Sequence, residues 1–193
     1  MIIMSINCSL GSVSRTGSLF VVGRSALLGS DFASGRVAVA GSRKIDHEHS
    51  ALLRDMVNTL DPAKNVLVSG LALGADGVAH RAALARGVPQ IVVLPSGFDR
   101  VTPRSHLPLL RSILSAGGCA VSLLPPQASP SRSSFVARNE VIARLGKVLF
   151  VPQCASASGT MHTVRFARSA GVPVFFCRSG APHLVGVPGC FPK

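Results

Sequence analysis

Three glycine- and serine-rich turns hold the residues whose types and spacing could bind a negatively charged ligand. They are the segments 41–44 (GSRK), 70–77 (GLALGADG) and 155–160 (ASASGT). Backbone N–H groups in such turns, and at the helix starts that follow them, attract anions. Arg43 adds a planar guanidinium that suits phosphate. Any one turn is explained as readily by ordinary turn chemistry. Three such turns at the same edge of a sheet, as the strand pattern described below predicts, favour a phosphate-bearing ligand.

Several kinds of functional site are disfavoured by the motifs that are missing. No G-x-G-x-x-G turn and no G-x-x-x-x-G-K-[ST] loop occurs, so a nicotinamide cofactor and a P-loop nucleotide site are disfavoured. The five cysteines are odd in number and contain no C-x-x-C, which argues against a zinc site or a disulfide framework. No Ser-His-Asp or Cys-His arrangement can be assigned from spacing. The sequence therefore predicts no catalytic residue, no metal and no cofactor.

Isolated titratable residues in the turns have structural explanations. His80 lies within the helix that follows the second turn, where a packing histidine is the more common case. Asp76 and Asp99 lie in turns, where capping and turn hydrogen bonds explain a carboxylate as well as acid–base chemistry does.

The charge balance points to a polyanionic partner or to a generally basic background. Among 193 residues, 20 are Lys or Arg and 8 are Asp or Glu, which gives a formal net charge of +12. Most of the basic residues are Arg, whose planar fork suits phosphate. Nucleic acid is the natural polyanion for such a surplus. Because Trp and Tyr are absent, base stacking would have to use Phe, His or Arg.

Short apolar segments that alternate with helical patterns predict the fold class. Strands are predicted at 19–22, 36–40, 66–69, 91–94, 119–122, 147–151 and 174–176. Helices are predicted from Asp46 to about Leu60, from the second turn to Arg86, and at 107–115, 134–145 and 159–170. This alternation is typical of a parallel sheet covered on both faces. We expect a single Rossmann-like α/β domain, doubly wound and mostly parallel, with its ligand at the carboxyl ends of the strands.

The predicted domain organisation has three parts. Residues 1–17 are interpreted as an irregular leader, 18–180 as the domain, and 181–193 as a C-terminal tail of loop. The uncharged stretch 112–131 is interrupted by paired glycines and paired prolines, so it does not predict a membrane span. With no signal-peptide pattern and with unpaired cysteines, a cytoplasmic location is expected.

Seven blocks, taken in chain order, resemble the DprA/Smf family of DNA-processing proteins. The glycine-rich block 68–84 and the F-x-x-R-N block at 135–139 are the most specific. The sequence departs from the family's pattern at Glu140, where Arg is usual, and so resembles a minimal and divergent form. The blocks are 19–24, 37–44, 68–84, 94–103, 125–126, 135–143 and 156–160.

The resemblance implies a Rossmann-like domain that binds single-stranded DNA during DNA uptake and recombination. It further implies protection of the strand, loading of the RecA recombinase and a homodimer. Arg43 and Arg138 would each clamp a phosphate, Asn139 would bond sugar, phosphate or base, and Phe135 would stack on a base or pack in the core. The candidate nucleic-acid- and phosphate-binding residues are Gly41, Ser42, Arg43, Lys44, Gly70, Leu71, Phe135, Arg138, Asn139, Ser158, Gly159 and Thr160.

Two alternatives remain open beside DNA binding. The LOG-type nucleotide phosphoribohydrolases have a similar sheet and a P-G-G-x-G-T-x-x-E pattern at the last turn. Thr163 stands where that pattern has its glutamate, which argues against hydrolysis because the reaction needs an acid there. A nucleotide-sensing module would use the same pocket for a small phosphorylated ligand, and the sequence leaves that hypothesis open.

Overall fold

The strands of the chain form one mixed sheet with a parallel centre. The computed structural model describes residues 4–6 and 19–193. Within these ranges the strand order is β1-β2-β6-β5-β4-β3-β7-β8-β9; from β6 to β9 neighbours are parallel, whereas β2 is antiparallel to both β6 and β1. The strands are β1 (Met4–Ile6), β2 (Leu19–Gly23), β3 (Arg36–Val39), β4 (Val66–Ser69), β5 (Gln90–Leu94), β6 (Cys119–Ser122), β7 (Val148–Val151), β8 (Val174–Phe176) and β9 (Cys190–Pro192).

Helices cover both faces of this sheet. They are α1 (His47–Asn58), α2 (Ala75–Arg86), α3 (Leu107–Ser115), α4 (Arg132–Leu145) and α5 (Thr160–Ser169). Buried side chains of α1 and α2 form one cluster and those of α3 an adjoining one, whereas α4 and α5 pack together into a cluster on the other face. The doubly wound, mostly parallel α/β fold expected from the sequence is confirmed. None of the five described helices combines the length and the hydropathy that crossing a bilayer requires.

The sequence of β4 shows why such strands belong in the middle of the sheet. Val66 and Val68 face the cluster formed with α4 and α5, while Leu67 faces the cluster formed with α1 and α2. Successive side chains of a strand point to opposite faces, so a strand buried on both sides needs an unbroken apolar run. The short apolar segments of the sequence meet this requirement.

Local capping signals set the helix boundaries. The Asp46 carboxylate accepts a hydrogen bond from the His49 N–H at the start of α1, and Gly87 ends α2 in the left-handed conformation, at a φ of 74°. Ser131 and Ser134 form a reciprocal capping box. This box starts α4 two residues earlier than the pattern predicts, so Arg132 belongs to the helix.

The order of the strands creates a crevice between β3 and β7. The chain leaves β3 for α1 on one face and leaves β7 for α5 on the opposite face. Two neighbouring parallel strands whose connections diverge in this way leave room at their carboxyl ends, where ligands of doubly wound folds bind.

The two ends of the chain differ from the sequence-based interpretation. The irregular leader predicted at 1–17 contains β1, which pairs with β2; residues 1–3 and 7–18 lie outside the described residues. The loop predicted towards the C-terminus contains β9, and Ala181 and Leu184 are buried in the cluster of α4 and α5. The segment 181–193 therefore contributes a strand to the sheet and a few side chains to the core. Gly189 precedes the short β9 and Pro192 ends it, and these residues made the segment resemble a loop.

Candidate nucleic-acid interface

A cavity of about 570 Å³ lies at the carboxyl ends of β3 and β7. Its walls are the turn 40–43 after β3, the segment 155–160 that leads from β7 into α5, and one side of α4. Ala72 and Asp76 from the second glycine-rich turn complete the lining. The three turns that the sequence singled out therefore meet at one site, as expected for the switch point of the sheet.

Backbone contacts on both sides hold the turn after β3 in place. Ser42 N donates to Gln153 O at 2.7 Å, and Ala75 N donates to Ser42 O at 3.0 Å. Gly74 has a φ of 72°, and a side chain there would collide with the Ser42 and Arg43 carbonyl groups. The arrangement fixes the backbone of Arg43 while its side chain stays exposed at the mouth of the cavity.

Two arginines approach the same aromatic ring on the α4 wall. The Cζ atom of Arg43 lies 5.5 Å from the centroid of the Phe135 ring, and that of Arg138 lies 5.9 Å from it. Phe135 is half-buried and belongs to none of the three apolar clusters. Contacts of this kind are attractive because a cation meets the negative face of the ring. The ring therefore contacts two guanidinium groups and lies outside the apolar clusters.

Arg138 is buried and is paired with Asp76. Its Nη1 lies 3.5 Å from Asp76 Oδ2, and that oxygen also accepts the Gly70 and Ala72 N–H groups at 3.2 Å each. Burial lowers the pKa of the Arg138 guanidinium, and the nearby Asp76 carboxylate opposes that shift. A methyl group on Gly70 would collide with the guanidinium. Gly70 is thus needed for the close approach of Arg138 to the second turn.

Two buried polar atoms at the cavity lack hydrogen-bond partners among the described residues. They are Nε of Arg138 and Oγ of Ser158. Buried polar atoms in proteins are nearly always paired, so an unpaired one at a cavity invites a ligand or water. Beside them, Asn139 Nδ2 donates to Gly159 O at 3.2 Å and joins α4 to the turn before α5.

Nine of the twelve predicted site residues line the cavity. They are Gly41, Ser42, Arg43, Phe135, Arg138, Asn139, Ser158, Gly159 and Thr160. Their roles in binding stay predictions.

Lys44, Gly70 and Leu71 do not line the cavity. Lys44 is exposed beyond it, and its N–H donates to Ser42 Oγ at 3.0 Å. Gly70 lies behind the Arg138 guanidinium, and the side chain of Leu71 is fully buried in the apolar cluster that contains the α3 residues.

Arg132 and His162 also line the cavity, and the sequence analysis did not select them. Arg132 is exposed at the first position of α4. The spacing between Arg132, Phe135 and Asn139 is three and four residues, which places all three on one side of a helix. This spacing could have identified Arg132 if the helix start had been set at Ser131.

Outside the cavity, His80 is fully buried and its Nδ1 lies 2.8 Å from the side-chain amide of Gln90. Desolvation lowers the pKa of this imidazole, so His80 is neutral and acts as a packing residue. Among the described residues, no three His, Cys, Asp or Glu side chains come together as a metal site would require.

Comparisons with known proteins identify relatives of the chain. The family model for DNA recombination-mediator protein A matches residues 14–190. Protein Smf of Escherichia coli K12 is 36% identical over 180 residues, which are 93% of this chain and 46% of that protein. The chain thus spans about half the length of this relative.

Two solved structures share the fold across most of the chain. One is DNA processing protein A from Helicobacter pylori, described for its single-stranded DNA binding mode; its TM-score is 0.86 at 25% identity, covering 98% of this chain and 88% of that one. The other is DprA from Streptococcus pneumoniae, with a TM-score of 0.82 at 30% identity, covering 91% of this chain and 62% of that one.

Proposed function

The chain belongs to the DprA/Smf family of DNA recombination-mediator proteins, and from this membership we propose that it binds single-stranded DNA and acts in DNA uptake and recombination. The H. pylori relative, which shares the fold at a TM-score of 0.86, is described for its binding of single-stranded DNA. The net charge of +12 supports an extended polyanion as the ligand.

The observation that carries the proposal is the set of three arginines at the cavity. Arg43, Arg132 and Arg138 come from two different elements and line one crevice of about 570 Å³. The start of α5 adds backbone N–H groups that favour anions. Asp76 is the one carboxylate in the described lining, and it is paired with Arg138. The cavity therefore keeps a positive surplus that suits a phosphate backbone.

The arginines differ in what they can do for a ligand. Arg43 and Arg132 are exposed, so their guanidinium groups can turn towards phosphates of a passing strand. Arg138 is 7% exposed, and its guanidinium is paired with Asp76. Phe135 holds two of these guanidiniums by its ring face. We therefore assign it to positioning the cations rather than to stacking on a base.

Binding without catalysis is the function we assign to this cavity. Asp76 already accepts three donors, Gly70 N, Ala72 N and Arg138 Nη1, and is 4% exposed, so it cannot serve a ligand as a general acid or base. Thr163 occupies the position at which the phosphoribohydrolase pattern has glutamate, and it lines the same cavity. These two residues support a binding protein over a nucleotide hydrolase.

The direct test is fluorescence anisotropy with end-labelled oligonucleotides, single-stranded and duplex, at several salt concentrations. A label is needed because the chain has no Trp or Tyr. We expect a preference for the single strand, steep loss of affinity with salt, and weaker binding in Arg43→Ala and Arg132→Ala. Arg86→Ala is the matched control, because Arg86 is an equally exposed arginine at the far end of α2 from the cavity.

The outcomes separate the hypotheses. Equal losses in Arg43→Ala and Arg86→Ala would reduce binding to nonspecific charge. Absence of binding at low salt would contradict the proposal. Displacement of the oligonucleotide by micromolar nucleoside monophosphate would favour the nucleotide-sensing alternative, and release of free base would favour hydrolysis.

Loading of RecA, protection of the strand, a homodimer and a cytoplasmic location complete the proposal. The family's description as a recombination mediator supports the RecA partner. Free thiols at the described cysteines 119, 154, 177 and 190 suit a reducing compartment. Light scattering would measure the dimer, and nuclease protection with RecA filament assembly on coated strands would measure the other two activities. A monomer at micromolar concentration, or unchanged RecA assembly, would contradict the corresponding part.

A further inference from the structure

A carboxylate, an imidazole and a hydroxyl are hydrogen-bonded in series outside the lining of the arginine cavity. His49 Nδ1 lies 2.8 and 2.9 Å from the two carboxylate oxygens of Asp46. On the other side of the ring, His49 Nε2 lies 3.1 Å from Ser179 Oγ. Asp46 and His49 belong to the start of α1, and Ser179 belongs to the loop after β8. The order and distances are those that activate a serine nucleophile in hydrolases on unrelated folds.

The contacts decide where the protons are. A carboxylate only accepts, so Nδ1 of His49 carries the hydrogen that faces Asp46; in the neutral form of the ring, Nε2 is then the acceptor. The Ser179 hydroxyl therefore donates to Nε2. The backbone N–H of His49 is the main cause of a lowered pKa at Asp46, and Gln153 Nε2 contributes by donating at 2.6 Å. Asp46 stays ionised and keeps the imidazole in this tautomer.

Packing fixes the base and leaves the nucleophile open. The side chain of His49 is 6% exposed, while Ser179 is exposed. Gly180 follows Ser179, and a Cβ at Gly180 would come within 2.7 Å of the imidazole. A glycine at this position is what lets the loop bring Ser179 against the ring.

We propose that Ser179 is an activated nucleophile and a site of covalent acylation by activated esters. Its Oγ attacks the ester carbonyl carbon, and its proton passes to His49 Nε2. The bond from that carbon to the alkoxy oxygen then breaks, and His49 returns the proton to the departing alcohol. The balance is one ester and one serine hydroxyl giving one acyl-serine and one alcohol. This site is independent of the proposed DNA binding.

The surrounding N–H groups limit the reaction to a single modification. Acylation and hydrolysis of the acyl-serine both form an oxyanion, and the residues after a nucleophile often donate hydrogen bonds to it. An activated ester can acylate without such donors because its leaving group departs readily, whereas hydrolysis of the acyl-serine depends on them. Here Gly180 N and Ala181 N both donate to Cys177 O, at 3.1 and 2.9 Å. We therefore expect stoichiometric acylation of Ser179 rather than hydrolysis. Cys177 Sγ lies 3.3 Å from Ser179 Oγ and can donate to it without competing for Nε2.

The test treats the full chain with p-nitrophenyl acetate and, separately, with an alkyl fluorophosphonate, followed by intact mass and peptide mapping. We expect one adduct per chain on Ser179, and its loss in Ser179→Ala. General-base help is worth about 10²-fold or more, so His49→Gln is expected to slow labelling by that factor. The matched serine control is Ser30→Ala, because exposed Ser30 donates directly to the Asp31 carboxylate at 3.3 Å.

Asp46→Asn separates activation from a purely structural role. Asparagine caps a helix as well as aspartate does, so we expect the melting temperature of the protein to stay unchanged. An amide cannot keep the imidazole in the required tautomer, so labelling of Ser179 is expected to slow by about 10²-fold or more. Cys177→Ala is expected to keep the adduct.

Several results would overturn the proposal. One is the absence of an adduct on Ser179 in the folded chain. Others are an adduct that maps to Cys177, or labelling of Ser179 at the rate of Ser30. The same holds for equal labelling rates in the unsubstituted chain and in folded His49→Gln or Asp46→Asn.

Discussion

The turn after β3 and the middle of α4 each bring one arginine to the same phenyl ring, and the two residues are built differently. Arg43 follows Ser42, whose backbone N–H and C=O groups are hydrogen-bonded to Gln153 and Ala75. The side chain of Arg43 is exposed. Arg138 is 7% exposed, and its partner Asp76 holds the second turn. The backbone at Arg43 is held in place, while its guanidinium group is accessible to a ligand. The charge of Arg138 is buried and paired with Asp76 inside the protein.

An arginine that lies close to a cavity does not for that reason alone have a binding role, because burial and pairing also decide what its charge does. A buried cation costs several kcal/mol unless it is paired, and removing one member of a buried pair is more costly than the pair is worth. An exposed cation contributes little to stability and much to attraction of a polyanion. Substitutions on the Arg138 side should therefore change stability first, and those on the Arg43 side should change DNA binding first.

The largest expected effect comes from Asp76→Ala. It leaves the buried Arg138 without its counter-charge and two backbone N–H groups without an acceptor, so the free energy of unfolding should fall by about 3–5 kcal/mol. Guanidinium denaturation measures it. Asp99→Ala, at an exposed carboxylate, should change it by less than about 0.5 kcal/mol. A loss below about 1 kcal/mol in Asp76→Ala would mean that Arg138 reaches solvent.

Gly70→Ala should have the next largest effect. The added methyl group collides with the Arg138 guanidinium, and overpacking of this kind costs about 1–3 kcal/mol. Gly159→Ala is the matched control, because nothing lies within 4 Å of a Cβ there. Thermal unfolding of both variants checks the expectation, and equal melting temperatures would contradict it.

Arg43→Ala should leave stability within about 0.5 kcal/mol and act on the ligand. For single strands the slope of log affinity against log salt falls by about 0.7 for each phosphate contact removed. Arg43→Lys keeps the charge and loses the planar fork, so its slope should match the unsubstituted chain while its affinity drops. Anisotropy across salt concentrations measures both, and a slope unchanged in Arg43→Ala would remove Arg43 from the phosphate path.

The smallest effect is expected from Phe135→Leu. It removes the ring face that holds two guanidiniums, an interaction worth about 0.5–1 kcal/mol, so affinity should weaken about two- to fivefold. Because no charge is lost, the salt slope should stay unchanged. A loss above about tenfold, without a change in slope, would show that the ring stacks on a base instead.

Local signals predicted the secondary structure well, because each signal acts within a few residues. The bounds of β4, β6, β8 and α3 agree with the sequence patterns, and α2 ends at Arg86 as expected. The strand β9 was missed because Pro192 within it and Gly189 before it are residues typical of a loop. Its pairing depends on β8, which positions it through long-range contacts.

The candidate site was predictable where one turn contains its own chemistry. The Gly41–Arg43 turn and the Ser158–Thr160 turn carry their anion-binding character in adjacent residues, and both line the cavity. The burial of Arg138 was not predictable, because it depends on Asp76, a partner far earlier in the chain. The burial of Leu71 was not predictable from its residue type either, because Leu73 in the same turn is equally apolar and is 48% exposed.

Among the described strands, β9 lies at one edge of the sheet, and this feature bears on how copies of the chain can associate. An edge strand with free N–H and C=O groups is a template on which another backbone can add. Here the strand has three residues, and Pro192 has no N–H to offer. Backbone pairing across this edge would gain few hydrogen bonds, so β9 resists the open-ended stacking that leads to aggregates. A homodimer would therefore have to be built from side-chain surfaces rather than by extending the sheet through β9.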